Sequence, residues 1–216
     1  MTRSITTPGY LHRGLEDLFA MARATPIDPD CESFIFVRHG ETDGNHKKIF
    51  QPADIPLNAR GLAQAEAAAE ALKAARLERV VASTMKRAWT TAEIIARPHG
   101  LRPIEEPGLR ERWFGDLVGT PSHDHDWRDD PPNGETLRQF VIRTQAGLVR
   151  SLDAASRNMT ALVAHGGVLY VLAPSLGLEL ETGMLANATP MRFDRAGSGW
   201  RVTLLADTGG RGDNVS

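Results

Sequence analysis

With 216 residues the chain is long enough for one sizeable α/β domain and short for two. Hydrophobic residues make up 41 % and charged residues 24 %, an ordinary globular composition, and Lys+Arg 25 against Asp+Glu 27 leaves a net charge of −2, which argues against a nucleic-acid partner but not against an anionic substrate held by a few local cations. The lone Cys31 excludes an intramolecular disulfide and a cysteine zinc cluster, no apolar run approaches the roughly 20 residues of a membrane span, and residues 1–30 lack the apolar core of a secretory signal, so a cytoplasmic protein without a membrane partner is expected.

In chain order, residues 1–30 read as an N-terminal arm. Leu11, Leu15, Leu18, Phe19 and Ala22 recur at helical spacing and predict an amphipathic helix over about 10–24, packed on its own domain and broken by Thr25-Pro26 and Asp28-Pro29. A main domain over 31–207 opens with Phe34-Ile35-Phe36-Val37, a continuous apolar run suited to a strand covered on both faces. Residues 60–75 are Ala-rich with Gln and Glu and predict a helix. Arg79-Val80-Val81-Ala82 reads as a second buried strand, with a helix from Ser83 to about Ala96. A long helix over 136–155 would turn Leu137, Phe140, Val141, Thr144, Leu148 and Leu152 to one side. Thr160–Ala164 reads as a third buried strand and 188–206 as a closing hairpin that turns at 196–199, before a frayed tail over 208–216. Strands alternating with helices predict a three-layer α/β/α sandwich around a mostly parallel central sheet.

In such sheets ligands bind beyond the carboxyl ends of the strands. The predicted strands end in Arg38-His39-Gly40, in Ser83 leading to Arg87, and in His165-Gly166-Gly167, which gathers the chemistry on one edge. A strand-end histidine is often only a core residue, but the arginine beside His39 would be costly to bury without an anion. Ala88 and Ala92 would keep the helix close to the sheet and let Arg87 project over the strand ends, so that two guanidiniums meet near a helix N-terminus in a phosphate site. Glu111, in an Arg-rich loop, is either an ion-pair partner or a member of the same site.

Taken together, RHGET with Asn45, PLNARGLAQA from Pro56, STMKRAWTTA from Ser83, LRERWFGDLVG from Leu109, PNGET from Pro132 and AHGG from Ala164 resemble the histidine phosphatase superfamily, the phosphoglycerate mutase-like group. They stand in the family's order over 34 to about 190. The resemblance implies a phosphoglycerate mutase-like fold and a phosphohistidine intermediate on His39. Arg38, Arg87 and His165 would hold the phosphoryl oxygens, with donors from Asn45 and the backbone at Gly166, and Glu111 would serve as proton donor and acceptor. The fixed cations would take the part that Mg²⁺ plays in metal-dependent enzymes, so neither a metal nor a cofactor is expected.

Water and a second alcohol compete for such an intermediate. Phosphoglycerate mutases of this group carry a long insertion with adjacent arginines after the glutamate loop. Here the segment PSHDHDWRDDPP has one arginine, Arg128, and four aspartates. Pro52, which has no N–H, replaces a usual glycine, and Gly44 stands where an aromatic residue often precedes the asparagine. A phosphomonoester hydrolase is therefore expected, with a cofactor-dependent phosphoglycerate mutase as the alternative and a non-catalytic phosphate-ligand binder third. The expected partner is a small phosphorylated substrate; a homodimer is left open. The His123-x-His125 pair reads as part of a solvated loop rather than a metal site, and Trp113 and Trp127 are candidates for walling the pocket.

Overall fold

The structure, a computed structural model, describes residues 13–123, 125–153, 159–181 and 183–205. The predicted tail and the first turn of the predicted N-terminal helix lie outside these residues.

The elements are α1 (Leu15–Ala24), β1 (Ser33–Arg38), α2 (Asp43–Lys47), α3 (Ala59–Leu72), β2 (Arg79–Ala82), α4 (Lys86–Ala96), β3 (Ile104–Glu105), α5 (Leu137–Asp153), β4 (Thr160–Ala164), α6 (Gly166–Ser175), β5 (Pro190–Ala196) and β6 (Gly199–Leu204). One six-stranded sheet runs β3-β2-β4-β1-β5-β6. β1, β2, β3 and β4 are mutually parallel, whereas β5 and β6 join antiparallel as the predicted hairpin.

The pleat explains why the central strands are continuously apolar. Phe34 and Phe36 of β1 and Leu162 and Ala164 of β4 enter a core with Leu148 of α5 and Leu169 and Leu172 of α6. Ile35, Val37, Ala161 and Val163 enter a second core on the opposite face, with Ala68 and Leu72 of α3 and Ala88, Ala92 and Ile95 of α4. Burial on both faces removes the need for a polar alternation. The small residues of α3 and α4 let those helices lie close to the sheet, as Ala88 and Ala92 predict; both are fully buried.

A third apolar cluster stands apart from the sheet. Leu15, Leu18 and Ala22 of α1 meet Phe140 and Val141 of α5, Tyr170 and Val171 of α6, and Phe50, Phe114 and Trp127 from loops. Beyond the short α2 and β3, which the sequence does not announce, the structure departs from the sequence expectation in the following features. α4 starts at Lys86 rather than Ser83, because Met85 still has an extended backbone (φ −75°, ψ 133°). α6 follows His165 directly; its run of Val, Leu and Tyr is buried all round and so shows no helical period. Of the described residues of 121–131, Pro121, His123, Arg128, Asp129 and Asp130 are exposed, as expected of a solvated loop, but Trp127 is 5 % exposed and the His125 ring packs against Phe50 and Phe114.

Candidate active site

β1 delivers Arg38 and His39 to the carboxyl edge of the sheet, β2 delivers Ser83, and β4 delivers His165. The neighbouring parallel strands β1 and β4 hold Arg38 level with Ala164, and the His39 N–H continues the ladder to Ala164 O at 2.9 Å. The two imidazoles consequently face each other with ring centroids 5.1 Å apart.

Hydrogen bonds fix the tautomer of His39. Its Nδ1 lies 2.7 Å from the Gly40 carbonyl, which can only accept, so Nδ1 carries the proton. Its Nε2 accepts from Arg87 Nε at 3.3 Å and keeps the lone pair. Burial first, then Arg87 and Arg38, push the His39 pKa well below the usual 6.5, so the ring is neutral. His165 is lowered well below 6.5 in the same way, by burial and then by Arg87, His39 and Arg38.

Arg87 is 2 % exposed and aimed by three contacts: Nε on His39, Nη1 donating to Pro52 O at 3.0 Å, and Nη2 3.2 Å from Met85 Sδ. Pro52, read from the sequence as the loss of an N–H, thus contributes through its carbonyl. Burial lowers the Arg87 pKa to about 10, with Glu111 acting in the opposite sense, and the group stays cationic at neutral pH. Burial also lowers Arg38, again opposed by Glu111, so the carboxylate lies within the field of both guanidiniums. Arg38 Nη1 donates to Leu185 O. Its Nε and His165 Nδ1 are buried with no partner among the described residues, an arrangement that suits an oxyanion bound between them.

Glu111 is held from both sides. Oε1 accepts from the Arg112 N–H at 3.0 Å and Oε2 from the Gly167 N–H, in the first turn of α6, at 3.0 Å. A Cβ on Gly167 would stand 2.0 Å from Glu111 Oε1, so this glycine makes room for a protein carboxylate. Gly166 differs: a Cβ there would meet only Arg38, at an ordinary 3.7 Å. Behind Glu111, Glu135 of the PNGET motif pairs with Arg143 at 2.8 Å, and Arg143 donates to the carbonyls of Gly108 and Arg110 at 2.8 and 3.1 Å. That explains the motif: it stiffens the glutamate loop.

Asn45 closes the inner end. Its Oδ1 accepts from the Thr42 N–H at 3.1 Å in the capping box of α2, which leaves the amide nitrogen as its donor. Gly44 has its own reason, because Gln51 lies where a Cβ would go, 2.5 Å from its Cγ. Gly40 and Gly61 interlock likewise: a Cβ on Gly40 would stand 2.4 Å from Gly61 O, which ties the RHG turn to the start of α3.

A cleft of about 590 Å³ opens at this edge of the sheet. Arg38, His39, Arg87, Asn45 and Glu111 line it together, and Phe50, Phe114 and Trp127 form its apolar wall. Trp113 lies elsewhere, 43 % exposed on the far side of Glu111. Sequence reasoning missed Ser83 as a site residue. Its hydroxyl lies 2.8 Å from His165 Nε2, and a serine in the position of a helix cap carries no signal of that role.

The histidine phosphatase superfamily (branch 1) family model matches residues 34–208. The protein named uncharacterized phosphatase PhoE from Bacillus subtilis (strain 168) is 35 % identical over 173 residues, which cover 77 % of this chain and 90 % of that one. The probable phosphoglycerate mutase GpmB of Proteus mirabilis (strain HI4320) is 32 % identical over 183 residues, covering 76 % and 85 %. Among solved structures, a mycobacterial glucosyl-3-phosphoglycerate phosphatase complexed with VO3 superposes with a TM-score of 0.67 at 29 % identity, covering 81 % of this chain and 98 % of that one.

Proposed function

The chain belongs to the histidine phosphatase superfamily, and from that premise we propose that it is a phosphomonoester hydrolase working through a phosphohistidine on His39. The observation that carries the reading is the His39 imidazole, neutral, with Nδ1 protonated toward Gly40 and the Nε2 lone pair beside Arg87. The Nε2 lone pair attacks phosphorus as the P–O bond to the alcohol breaks. Arg38, Arg87 and His165 hold the phosphoryl oxygens, and Asn45 adds a neutral donor. Glu111, in its protonated form, gives its proton to the departing oxygen. It then takes one from water as water attacks phosphorus and the N–P bond breaks, releasing phosphate and the neutral imidazole.

Water is the favoured acceptor because, among the described residues, the outer cleft offers no second arginine clamp. Arg112 borders it, but that guanidinium donates to the carbonyls of Glu135, Trp127 and Asp129 at 3.0, 2.5 and 3.0 Å. Lys48 stands at the exposed rim as a single charge. Phe50, Phe114 and Trp127 instead suit the organic part of an ester.

The test is hydrolysis of p-nitrophenyl phosphate with a chelator present, alongside phosphoglycerates with and without bisphosphoglycerate. Chelator-resistant hydrolysis that is lost in His39→Ala supports the reading; bisphosphate-dependent isomerisation outpacing hydrolysis overturns it.

A further inference from the structure

α1 lies before the region that the family model matches, yet it reaches the catalytic carboxylate through one residue. The Arg13 carbonyl accepts from the Trp127 N–H at 2.8 Å. Gly14, at φ +79°, is covered by the same segment: a Cβ there would stand 2.1 Å from Asp126 Oδ1 and 2.9 Å from Arg128 N. Arg128 pairs with Asp126 at 2.6 Å and approaches Glu16 of α1 at 3.9 Å.

α1 is itself fastened to the domain. The buried Gln145 amide of α5 donates to Ala22 O, Thr25 O and Ser175 Oγ at 3.2, 2.7 and 2.9 Å, which ties the end of α1 to α5 and α6. From the inner side, Arg112 Nη1 donates to Trp127 O at 2.5 Å while the Arg112 N–H holds Glu111 Oε1. The Trp127 ring completes the connection. The point where a Gly167 Cβ would lie is 3.0 Å from Trp127 Cη2 and 2.0 Å from Glu111 Oε1, so indole and carboxylate flank one spot on the first turn of α6.

We propose that α1 is a working part of the acid–base apparatus: it presses Trp127 against the Glu111 carboxylate and so fixes that group for proton transfer to the leaving oxygen. Trp127 is then a positioning residue, and this inference rests on Glu111 being the proton donor. A proton donor that drifts by about 1 Å can cost up to ~10²-fold in rate. The loss falls on esters whose leaving group needs protonation. An alkoxide needs it; p-nitrophenolate hardly does.

The experiment compares kcat/KM for glycerol 2-phosphate and p-nitrophenyl phosphate in wild type, Gly14→Ala, Trp127→Ala and Trp127→Phe. The alkyl ester should lose about tenfold or more in Gly14→Ala and Trp127→Ala, with Trp127→Phe restoring most of the loss, while Gly14→Ala, which leaves the aromatic wall in place, should keep p-nitrophenyl phosphate within about threefold of wild type. Equal losses on both esters in Gly14→Ala, or no loss on the alkyl ester, overturn the proposal, because a purely structural role would lower both alike. If Trp127→Ala fails to fold, Gly14→Ala, at the buried N-cap of α1, carries the same comparison. Failure of the functional reading looks different: wild-type hydrolysis would then survive in His39→Ala, whatever the leaving group.

Discussion

Gly167 and Glu111 share a space that admits no other residue at position 167. The glycine N–H donates to Oε2 at 3.0 Å, and a Cβ would stand 2.0 Å from Oε1. The first turn of α6 therefore does two things: it carries His165 at its N-cap and anchors the Glu111 carboxylate. A carboxylate near a helix N-terminus is also electrostatically favourable.

Gly167→Ala should displace Glu111 and reproduce the loss expected for Glu111→Gln, on the order of 10²–10⁴-fold on an alkyl phosphate and far less on p-nitrophenyl phosphate. In the double variant the two losses should not add, because both remove the same proton transfer. Steady-state kinetics on the four proteins checks this. Additive losses would show that Gly167 acts on something other than Glu111.

Ser83 and His165 form a buried pair at 2.8 Å. Ser83→Ala removes the partner of Nε2 and should destabilise the protein by about 1–3 kcal/mol, read from urea unfolding. It should also weaken inhibition by vanadate, because the ring that meets the oxyanion is no longer held in place. A stability loss with unchanged vanadate inhibition would confine Ser83 to a packing role.

Acid should destabilise the free enzyme through its two site histidines. His39 and His165 have folded-state pKa values well below the usual 6.5, chiefly from burial. Below pH 6.5 the unfolded chain binds protons that the folded chain does not, so stability falls as pH falls, until the folded-state values are reached. Each histidine adds at most about 1.4 kcal/mol per pH unit in that window. Unfolding free energies between pH 7.5 and 5, in buffer without phosphate, should therefore decline less steeply in His39→Gln than in wild type. Equal slopes would mean that His39 protonates as readily in the folded state.

How far the sequence revealed this arrangement depended on the range of the interactions involved. Phe34–Val37 and Thr160–Ala164 announce themselves, because strands buried on both faces need only apolar residues. Arg38, His39, Arg87 and His165 follow from their places at strand and helix ends. Ser83 was read as the start of α4 because serine is a preferred helix cap. Its hydroxyl instead faces His165, 82 residues away in sequence. Trp127, a candidate pocket wall in the sequence, does line the cleft although it sits among aspartates, because Arg13, Arg112 and the aromatic cluster turn it inward. Pro52 looked like the loss of a donor, whereas its carbonyl aims Arg87.

The central claim is that His39 Nε2 carries the phosphoryl group. Rapid-quench labelling with a radioactive phosphoryl donor, in the presence of chelator, tests it most directly. Wild type should show a label that is stable in alkali, lost in acid and absent from His39→Ala, while Glu111→Gln still labels with p-nitrophenyl phosphate as donor. A label that persists in His39→Ala would contradict the account.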